Sequence, residues 1–312
     1  MDIYESLEKP IISLAPMEDV TDTVFRNVVS HIQRPDLFYT EFVNVDGLNS
    51  KGKEKVLHRL KHEELEKPII VQLWGDNPEN FKNSANLVAD MGFDGIDINM
   101  GCSVKKVSGH GSGSGLILSP GLALEIIKST KEGASNLPVS VKTRLGWDFV
   151  DMEWISLLLK QNIRALTIHC RTARGEGAIN ANWSYMEEIV NLRDSISPST
   201  LLFGNGDLLS VKQAKSLIKE YRLNGAMIGR AAISNPWIFS GKEDVSQKER
   251  YELFRYHLGM FDKVWGESKD FNGLKKFFKA YIKEFDGANE LRQEFMKCKD
   301  VEEALELLNT IS

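Results

Sequence analysis

Eight short apolar segments, rich in β-branched residues, recur along the first 230 residues, and amphipathic stretches separate them. They are IISLA (11–15), LFYTEF (37–42), IIVQLW (69–74), GIDINM (95–100), VSVKT (139–143), ALTIHC (165–170), TLLFGN (200–205) and GAMIGR (225–230). Strand-like segments that alternate with helical ones are typical of a parallel sheet. Eight such units fit a closed (β/α)8 TIM barrel better than an open, doubly wound sheet. The sequence therefore predicts an α/β barrel.

After this region the pattern changes to helices alone. From residue 244 to residue 312 the apolar residues recur with helical spacing, as in SQKERYELFRYHLGMFDKVWG and VEEALELLNTIS. We therefore expect a barrel domain over residues 1–243 and an all-α helical domain over residues 244–312.

One segment of the expected helical domain is rich in lysines and aromatic residues. On an α-helix Lys275, Lys279 and Lys283 would form one cationic stripe, while Phe278 and Ile282 would face inward. The stripe could bind a nucleic acid, or it could be only a solvated face over an aromatic core. The pattern alone leaves both interpretations open.

Composition is that of an ordinary globular protein. The net charge of −5 argues against indiscriminate nucleic-acid binding but leaves room for a local basic groove. No apolar run approaches the ~20 residues that cross a bilayer, and MDIYESLEKP lacks the pattern of a signal peptide. Cys102, Cys170 and Cys298 show no CxxC spacing, so we expect neither disulfides nor a zinc site. We expect a cytoplasmic monomer without a metal or a membrane anchor.

Polar or small residues stand at nearly every predicted strand end. In a TIM barrel the catalytic groups come from the carboxyl ends of the strands. Those positions hold Ala15, Pro16, Met17, Glu41, Gln72, Asn99, Lys142, His169, Asn205, Gly206, Asp207, Gly229 and Arg230. A purely structural barrel has no reason to direct so many polar groups to one mouth, because each must be hydrated or hydrogen-bonded there. The pattern therefore indicates an active site.

The seventh and eighth strands end in glycine turns, in FGNGD and MIGRAAIS. Main-chain N–H groups in these turns, together with Arg230, would bind a phosphate where TIM barrels commonly hold one. Gln72, Lys142 and His169 could contact a flat polar heterocycle, and a cation such as Lys142 stabilises a reduced, anionic flavin ring. A site for one phosphate, with no dinucleotide fingerprint in GHGSGSG, predicts FMN.

Eight longer motifs also stand along the chain in a fixed order. They are LAPMEDVTDTVFR (14–26), YTEF (39–42), VQLWGDNPENF (71–81), GFDGIDINMGCSVKKV (92–107), PVSVKTRLGW (138–147), LTIHCRT (166–172), GNGD (204–207) and MIGRAAISNPWIF (227–239). With them the chain resembles the tRNA-dihydrouridine synthases over essentially its whole length. The resemblance implies an FMN-binding TIM barrel, a C-terminal helical domain that grips tRNA, and reduction of the C5–C6 double bond of particular uridines by NADPH.

The resemblance also implies roles for individual residues. The residues that it assigns to FMN are Ala15, Pro16, Met17, Gln72, Lys142 and His169 at the ring, and Asn205, Gly206, Asp207, Gly229 and Arg230 at the phosphate. It implies that Asn99 binds the target uracil and that Arg144 and Arg171 line the entrance for RNA. Cys102 matches the family's catalytic cysteine.

The chemistry that the resemblance implies gives Cys102 the role of a general acid. Hydride passes from flavin N5 to C6 of uracil, and a proton must reach C5 from the other face. A thiol with an ordinary pKa near ~8.5 is mostly protonated at neutral pH and can supply that proton. Glycines of residues 109–115 would let the loop fold over a base that has left the RNA stack.

Two residues depart from the family pattern and leave alternatives open. Ser103 stands where the family usually has proline, and His110 stands where a basic residue is expected. One alternative is a tRNA-binding protein that has lost turnover and acts in RNA folding; another is a flavin enzyme on a free pyrimidine, similar to dihydroorotate dehydrogenase. The lysine-bearing domain, with Lys275 and Lys279 as expected RNA contacts, argues against a small substrate.

Overall fold

The computed structural model describes residues 2–175 and 179–311 and contains the eight predicted strands. They are β1 Ile11–Leu14, β2 Phe38–Asn44, β3 Ile69–Trp74, β4 Gly95–Met100, β5 Val139–Arg144, β6 Ala165–His169, β7 Leu201–Asn205 and β8 Gly225–Ile228. They form one parallel sheet in the order β1-β8-β7-β6-β5-β4-β3-β2. A parallel bridge between Ser13 and Leu37 joins the two ends of the sheet. The predicted TIM barrel is confirmed.

Helices connect the strands on the outside of the barrel and continue alone after β8. They are α1 Ile3–Ser6, α2 Thr23–Gln33, α3 Val45–Leu48, α4 Glu54–Leu57, α5 Pro78–Ala89, α6 Lys105–Ser108, α7 Pro120–Gly133, α8 Met152–Leu159, α9 Tyr185–Ile196, α10 Val211–Tyr221, α11 Ala231–Ser234, α12 Gln247–Trp265, α13 Phe278–Tyr281, α14 Ala288–Lys297 and α15 Val301–Asn309. Short 3-10 helices are His58–Leu60, Glu64–Glu66, Gly113–Leu118, Ile238–Ser240, Gly266–Ser268 and Phe271–Phe277. Among the described residues, none of these helices has the length and apolar character that a membrane crossing requires.

The interior of the barrel is apolar near the strand starts and polar near the strand ends. Tyr39, Phe203 and Met227 belong to a buried cluster inside the barrel, which Tyr4 of α1 joins from the amino-terminal side. Above this cluster the inward positions carry amide, carboxylate, hydroxyl and ammonium groups. Because successive strand residues point to opposite faces, these groups all lie on the concave side of the sheet.

The C-terminal helices pack directly on the barrel. Helix α12 lies against α2, and the buried residues of both belong to one continuous core. Asp22 links the two parts, because its carboxylate caps α2 at the N–H of Phe25 and also accepts from Trp265 Nε1 at 2.9 Å and Lys269 Nζ at 2.7 Å. The C-terminal helical region is therefore present, while a domain boundary between residues 243 and 244 stays a prediction.

The prediction that Lys275, Lys279 and Lys283 form a cationic stripe on a single α-helix is wrong. Phe271–Phe277 is a 3-10 helix and α13 adds only one α-helical turn, so Lys283 lies beyond the helix. The reason is the spacing of buried side chains: Phe271, Leu274 and Phe277 recur every three residues, which matches the 3-10 period. Phe278 is buried, as predicted.

Candidate active site at the carboxyl end of the barrel

A cavity of about 490 Å³ lies at the carboxyl ends of the strands. Its volume is within the range of small-molecule sites. Ten of the eleven residues predicted to bind the cofactor line it, namely Ala15, Pro16, Met17, Lys142, His169, Asn205, Gly206, Asp207, Gly229 and Arg230. The eleventh, Gln72, is fully buried and is not among the residues that line the cavity. The roles of these residues towards a cofactor stay predictions.

The turn after β7 places Asp207 between two arginines. Gly206 has a φ of +128°, and a Cβ there would lie 2.7 Å from the Cβ of Ala181. The Asp207 carboxylate accepts hydrogen bonds from Arg171, from Arg230 Nη2 at 3.1 Å and from the N–H of Ala181 at 2.8 Å. The hydrogen bond from Arg171 holds the pKa of Asp207 below its ordinary value. Since this carboxylate is ionised, a phosphate beside it would be bound by main-chain N–H groups and by Arg230.

Lys142 and His169 form the floor of the cavity. Burial, and then the nearby Arg144, lower the pKa of Lys142 to about 8, so the ammonium is still mostly charged at neutral pH. It makes no hydrogen bond or ion pair with the residues that the structure describes. Burial and then the charge of Lys142 also lower the pKa of His169, which keeps this imidazole neutral. The floor therefore offers one cation, whose ammonium has no hydrogen bond or ion pair with the described residues, beside a neutral ring.

Cys102 lies just after β4 in a loop held by backbone hydrogen bonds. Its N–H donates to Oδ1 of Asn99 at 2.9 Å, and its carbonyl accepts from the N–H of Ser114 at 2.9 Å. The residue is only partly exposed, and burial raises the pKa of its thiol. The thiol is therefore protonated at neutral pH, as a general acid must be.

Arg144 braces the same loop from the side of β5. Its Nε donates to the carbonyl of Gly101 at 2.7 Å, its Nη1 to that of Thr172 at 3.1 Å and its Nη2 to Oγ of Ser103 at 3.1 Å. The serine that departs from the family pattern thus gives Arg144 an oxygen that proline lacks. Arg144 is largely buried, and its expected contact with RNA stays a prediction.

The last part of the glycine-rich segment, residues 109–115, lies in a short helix. Gly113–Leu118 forms a 3-10 helix whose first residues are buried against the Cys102 loop. Gly113 has a φ of +56°, and a Cβ there would lie 2.8 Å from the carbonyl oxygen of Cys102. Gly113 therefore allows close packing against the loop of Cys102, while movement of the segment over a substrate stays a prediction.

Asp97 is a buried site residue that the sequence analysis missed. Its carboxylate accepts hydrogen bonds from Gln72 Nε2 and from Ser140 Oγ, both at 2.6 Å, and burial raises its pKa to about 6. The signal was present in the alternation of GIDINM, which places Asp97 on the same face as Asn99.

The two lysines expected to contact RNA have different surroundings. Lys275 donates to the carbonyl of Met296 at 2.8 Å. Lys279 is exposed and makes no ion pair or hydrogen bond within the described part of the chain. Their contacts with RNA stay predictions. Within residues 2–175 and 179–311, no group of three or more His, Cys, Asp or Glu side chains is arranged to hold a metal ion.

Comparison with known proteins gives a family match over nearly the whole chain. The model of the family described as dihydrouridine synthase (Dus) matches residues 13–312. A relative in Bacillus subtilis (strain 168), named "Probable tRNA-dihydrouridine synthase 2", is 44% identical over 99% of this chain and 96% of its own length. A relative in Staphylococcus aureus (strain COL), named "Probable tRNA-dihydrouridine synthase", is 44% identical over 99% of this chain and 95% of its own.

Solved structures of low sequence identity share the barrel. A morphinone reductase mutant in complex with tetrahydroNAD matches with a TM-score of 0.54 and 11% identity, over 80% of this chain and 87% of that one. An old yellow enzyme homologue from Zymomonas mobilis matches with a TM-score of 0.50 and 12% identity, over 76% of this chain and 89% of that one. At such identities the likeness shows the fold alone.

Proposed function

The chain belongs to the dihydrouridine synthase family, and from this membership we propose that it reduces the C5–C6 double bond of a uridine in tRNA, with FMN as cofactor and NADPH as reductant. Relatives 44% identical over 99% of the chain carry the name "Probable tRNA-dihydrouridine synthase", with or without a number, which supports tRNA as the partner. A cytoplasmic location is part of the same proposal. The enzyme class is that of an oxidoreductase.

The residues at the barrel mouth fit a flavin mononucleotide. The Lys142 ammonium makes no hydrogen bond or ion pair with the described residues and lines the cavity, so it can bind the anionic edge of a reduced ring. Main-chain N–H groups after β7 and β8, with the exposed Arg230, can bind the single phosphate. When bound, the flavin supplies the hydride that reduces C6 of the uracil.

Cys102 completes the reduction by protonating C5. Its thiol gives up one proton as the hydride is received at C6, so that one hydride and one proton saturate the double bond. Solvent then returns a proton to the thiolate. Burial raises the pKa of Cys102 and keeps the thiol protonated between turnovers. The single observation that carries this proposal is the position of Cys102: it directly follows β4, and the ladder pairs Asn99 of β4 with Lys142 on the cavity floor.

Incubation of the purified protein with NADPH and unmodified tRNA tests the proposal. We expect flavin absorbance in the protein and dihydrouridine in the recovered tRNA, detected by mass spectrometry of nucleosides. Binding of tRNA without dihydrouridine would favour an RNA-binding protein without turnover. Reduction of free uracil or orotate at a higher rate than tRNA would favour an enzyme of small pyrimidines.

A further inference from the structure

Asp97 is a buried carboxylate that the chemistry above does not use directly. It lies on β4, one inward-facing position before Asn99, and its side chain is fully buried. The ladder pairs it with Gln72 of β3 and with Ser140 of β5, and both donate to it at 2.6 Å. An apolar residue would fill this position without the cost of burying a charge, which points to a role for the carboxylate.

The carboxylate fixes the orientation of two side-chain amides in series. An ionised carboxylate only accepts hydrogen bonds, so Gln72 must turn its Nε2 towards Asp97. The Oε1 of Gln72 then faces Asn99, whose Nδ2 donates to it at 2.9 Å. Asn99 in turn directs its Oδ1 towards the next loop, where it accepts from the N–H of Gly101 at 3.0 Å and of Cys102 at 2.9 Å.

We propose that Asp97 is a positioning residue, which holds the loop of Cys102 in place through the side-chain amides of Gln72 and Asn99. The role of Cys102 in this inference rests on the proposed function, whereas the hydrogen-bond chain does not. A reversed Asn99 would direct its Nδ2 at the two N–H groups of the loop, and both backbone hydrogen bonds would be lost. The side chains of Asp97, Gln72 and Asn99 thus form a chain of hydrogen bonds with one donor-to-acceptor direction, from the mouth of the barrel to its middle.

The remaining contacts of the loop do not depend on Asp97. Arg144 binds the carbonyl of Gly101 at 2.7 Å, and the N–H of Ser114 donates to the carbonyl of Cys102 at 2.9 Å. Loss of the Asp97 acceptor should therefore release the N–H groups of Gly101 and Cys102 while the carbonyls stay bound. This difference makes the backbone N–H groups a specific readout.

Amide hydrogen exchange of Gly101 and Cys102 in the purified holoprotein tests the proposal. Asp97→Leu removes the acceptor, and we expect exchange at both residues about tenfold faster or more, the size of one lost hydrogen bond. Asp97→Asn keeps an acceptor oxygen, and we expect exchange within about threefold of the wild type. Ser140→Ala is the matched control, because it removes an equally short hydrogen bond to the same carboxylate on the side away from Gln72. Equal exchange rates in Asp97→Leu and Ser140→Ala overturn the proposal.

A second variant that breaks the hydrogen-bond chain, and a second measurement, keep the test decisive. If Asp97→Leu does not fold, Gln72→Met interrupts the same chain one step nearer the loop and should give the same increase in exchange. In Asp97→Leu, reoxidation of the reduced flavin by tRNA should slow about tenfold or more, and by a larger factor than reduction by NADPH. Wild-type protein that forms no dihydrouridine contradicts the proposed function and leaves the exchange result standing. Unaltered exchange in every variant contradicts the role of Asp97 alone.

Discussion

Nη1 of Arg171 lies 2.9 Å from Nε2 of His169. Because a guanidinium only donates, Nε2 accepts, and the proton of the neutral imidazole is on Nδ1. Arg171 also donates to the carbonyl of Ile179 at 2.6 Å and to the carboxylate of Asp207, and it is 3% exposed. The arginine that the resemblance assigns to the RNA entrance therefore lines the cavity and orients both an imidazole and a carboxylate, and its contact with RNA stays a prediction.

We expect His169 to remain neutral over the whole working range of pH. Burial and the surrounding cations lower its pKa, whereas the unfolded imidazole titrates near 6.5. The unfolded chain then binds more protons below about pH 6.5, so the contribution of His169 to stability is present above that pH and is lost as the pH falls. The pH dependence of the imidazole nitrogen chemical shifts, measured by NMR, checks whether His169 stays neutral. The His169→Gln variant assigns the His169 signal. A His169 signal that titrates between pH 6 and 7 would contradict it.

Gly113→Ala should displace Cys102, and Gly111→Ala should not. Both glycines have a positive φ, of +56° and +84°, so alanine costs about 1–2 kcal/mol at either position. Only at Gly113 does the added methyl group also meet the carbonyl of Cys102, at 2.8 Å, since nothing lies within 4 Å at Gly111. We expect the positive φ to lower the free energy of unfolding by a similar amount in both variants. Flavin reoxidation by tRNA should be slower in Gly113→Ala and unchanged in Gly111→Ala. Equal reoxidation rates in the two variants would argue against a close fit below the cysteine.

Lys142→Met should lower the reduction potential of the bound flavin. Loss of the cation removes an attraction to the reduced, anionic ring, and about 1.4 kcal/mol corresponds to about 30 mV for a two-electron couple. We expect a shift of that order or larger, with slower reduction by NADPH. Lys160→Met, at an exposed lysine after α8, should leave the potential unchanged. Spectroelectrochemical titration measures both, and a wild-type potential in Lys142→Met would remove this lysine from the flavin site.

Lys279→Ala should lower the affinity for tRNA and make that affinity less sensitive to salt concentration. Lys279 is exposed without a partner among the described residues, so it is available to a phosphate, whereas Lys275 already donates to the carbonyl of Met296. Each phosphate contact that is lost reduces the slope of log K against log salt by about 1. We expect that reduction in Lys279→Ala and a smaller one in Lys275→Ala. Lys128→Ala, on the barrel helix α7, is the control and should keep the wild-type slope.

The strands and the cavity could be predicted from the sequence because their signals are local. Each strand is a run of apolar, β-branched residues, and the observed ends lie within two residues of the predicted ones, as in β2 and β8. Once eight parallel strands close, their carboxyl ends must meet at one mouth. Lys142, His169 and Asp207 were therefore placed together by topology alone.

Two of the missed features, the role of Asp97 and the burial of Gln72, depend on relations between distant residues. The role of Asp97 arises from the register that aligns it with Gln72 and Ser140, and no single strand contains that information. The burial of Gln72 follows from the same contacts. The break in the expected lysine helix could have been found locally, because Phe271, Leu274 and Phe277 recur every three residues instead of following the α-helical period.

The most direct test of the account is single-turnover reoxidation of the NADPH-reduced holoprotein by tRNA. In Cys102→Ala we expect reoxidation and dihydrouridine formation to slow about 100-fold or more, as for loss of a general acid, while reduction by NADPH keeps its wild-type rate. Cys298→Ala, at a buried cysteine directly after α14, is the control and should behave as the wild type. Dihydrouridine formed by Cys102→Ala at the wild-type rate would contradict the assignment of this thiol as the proton donor.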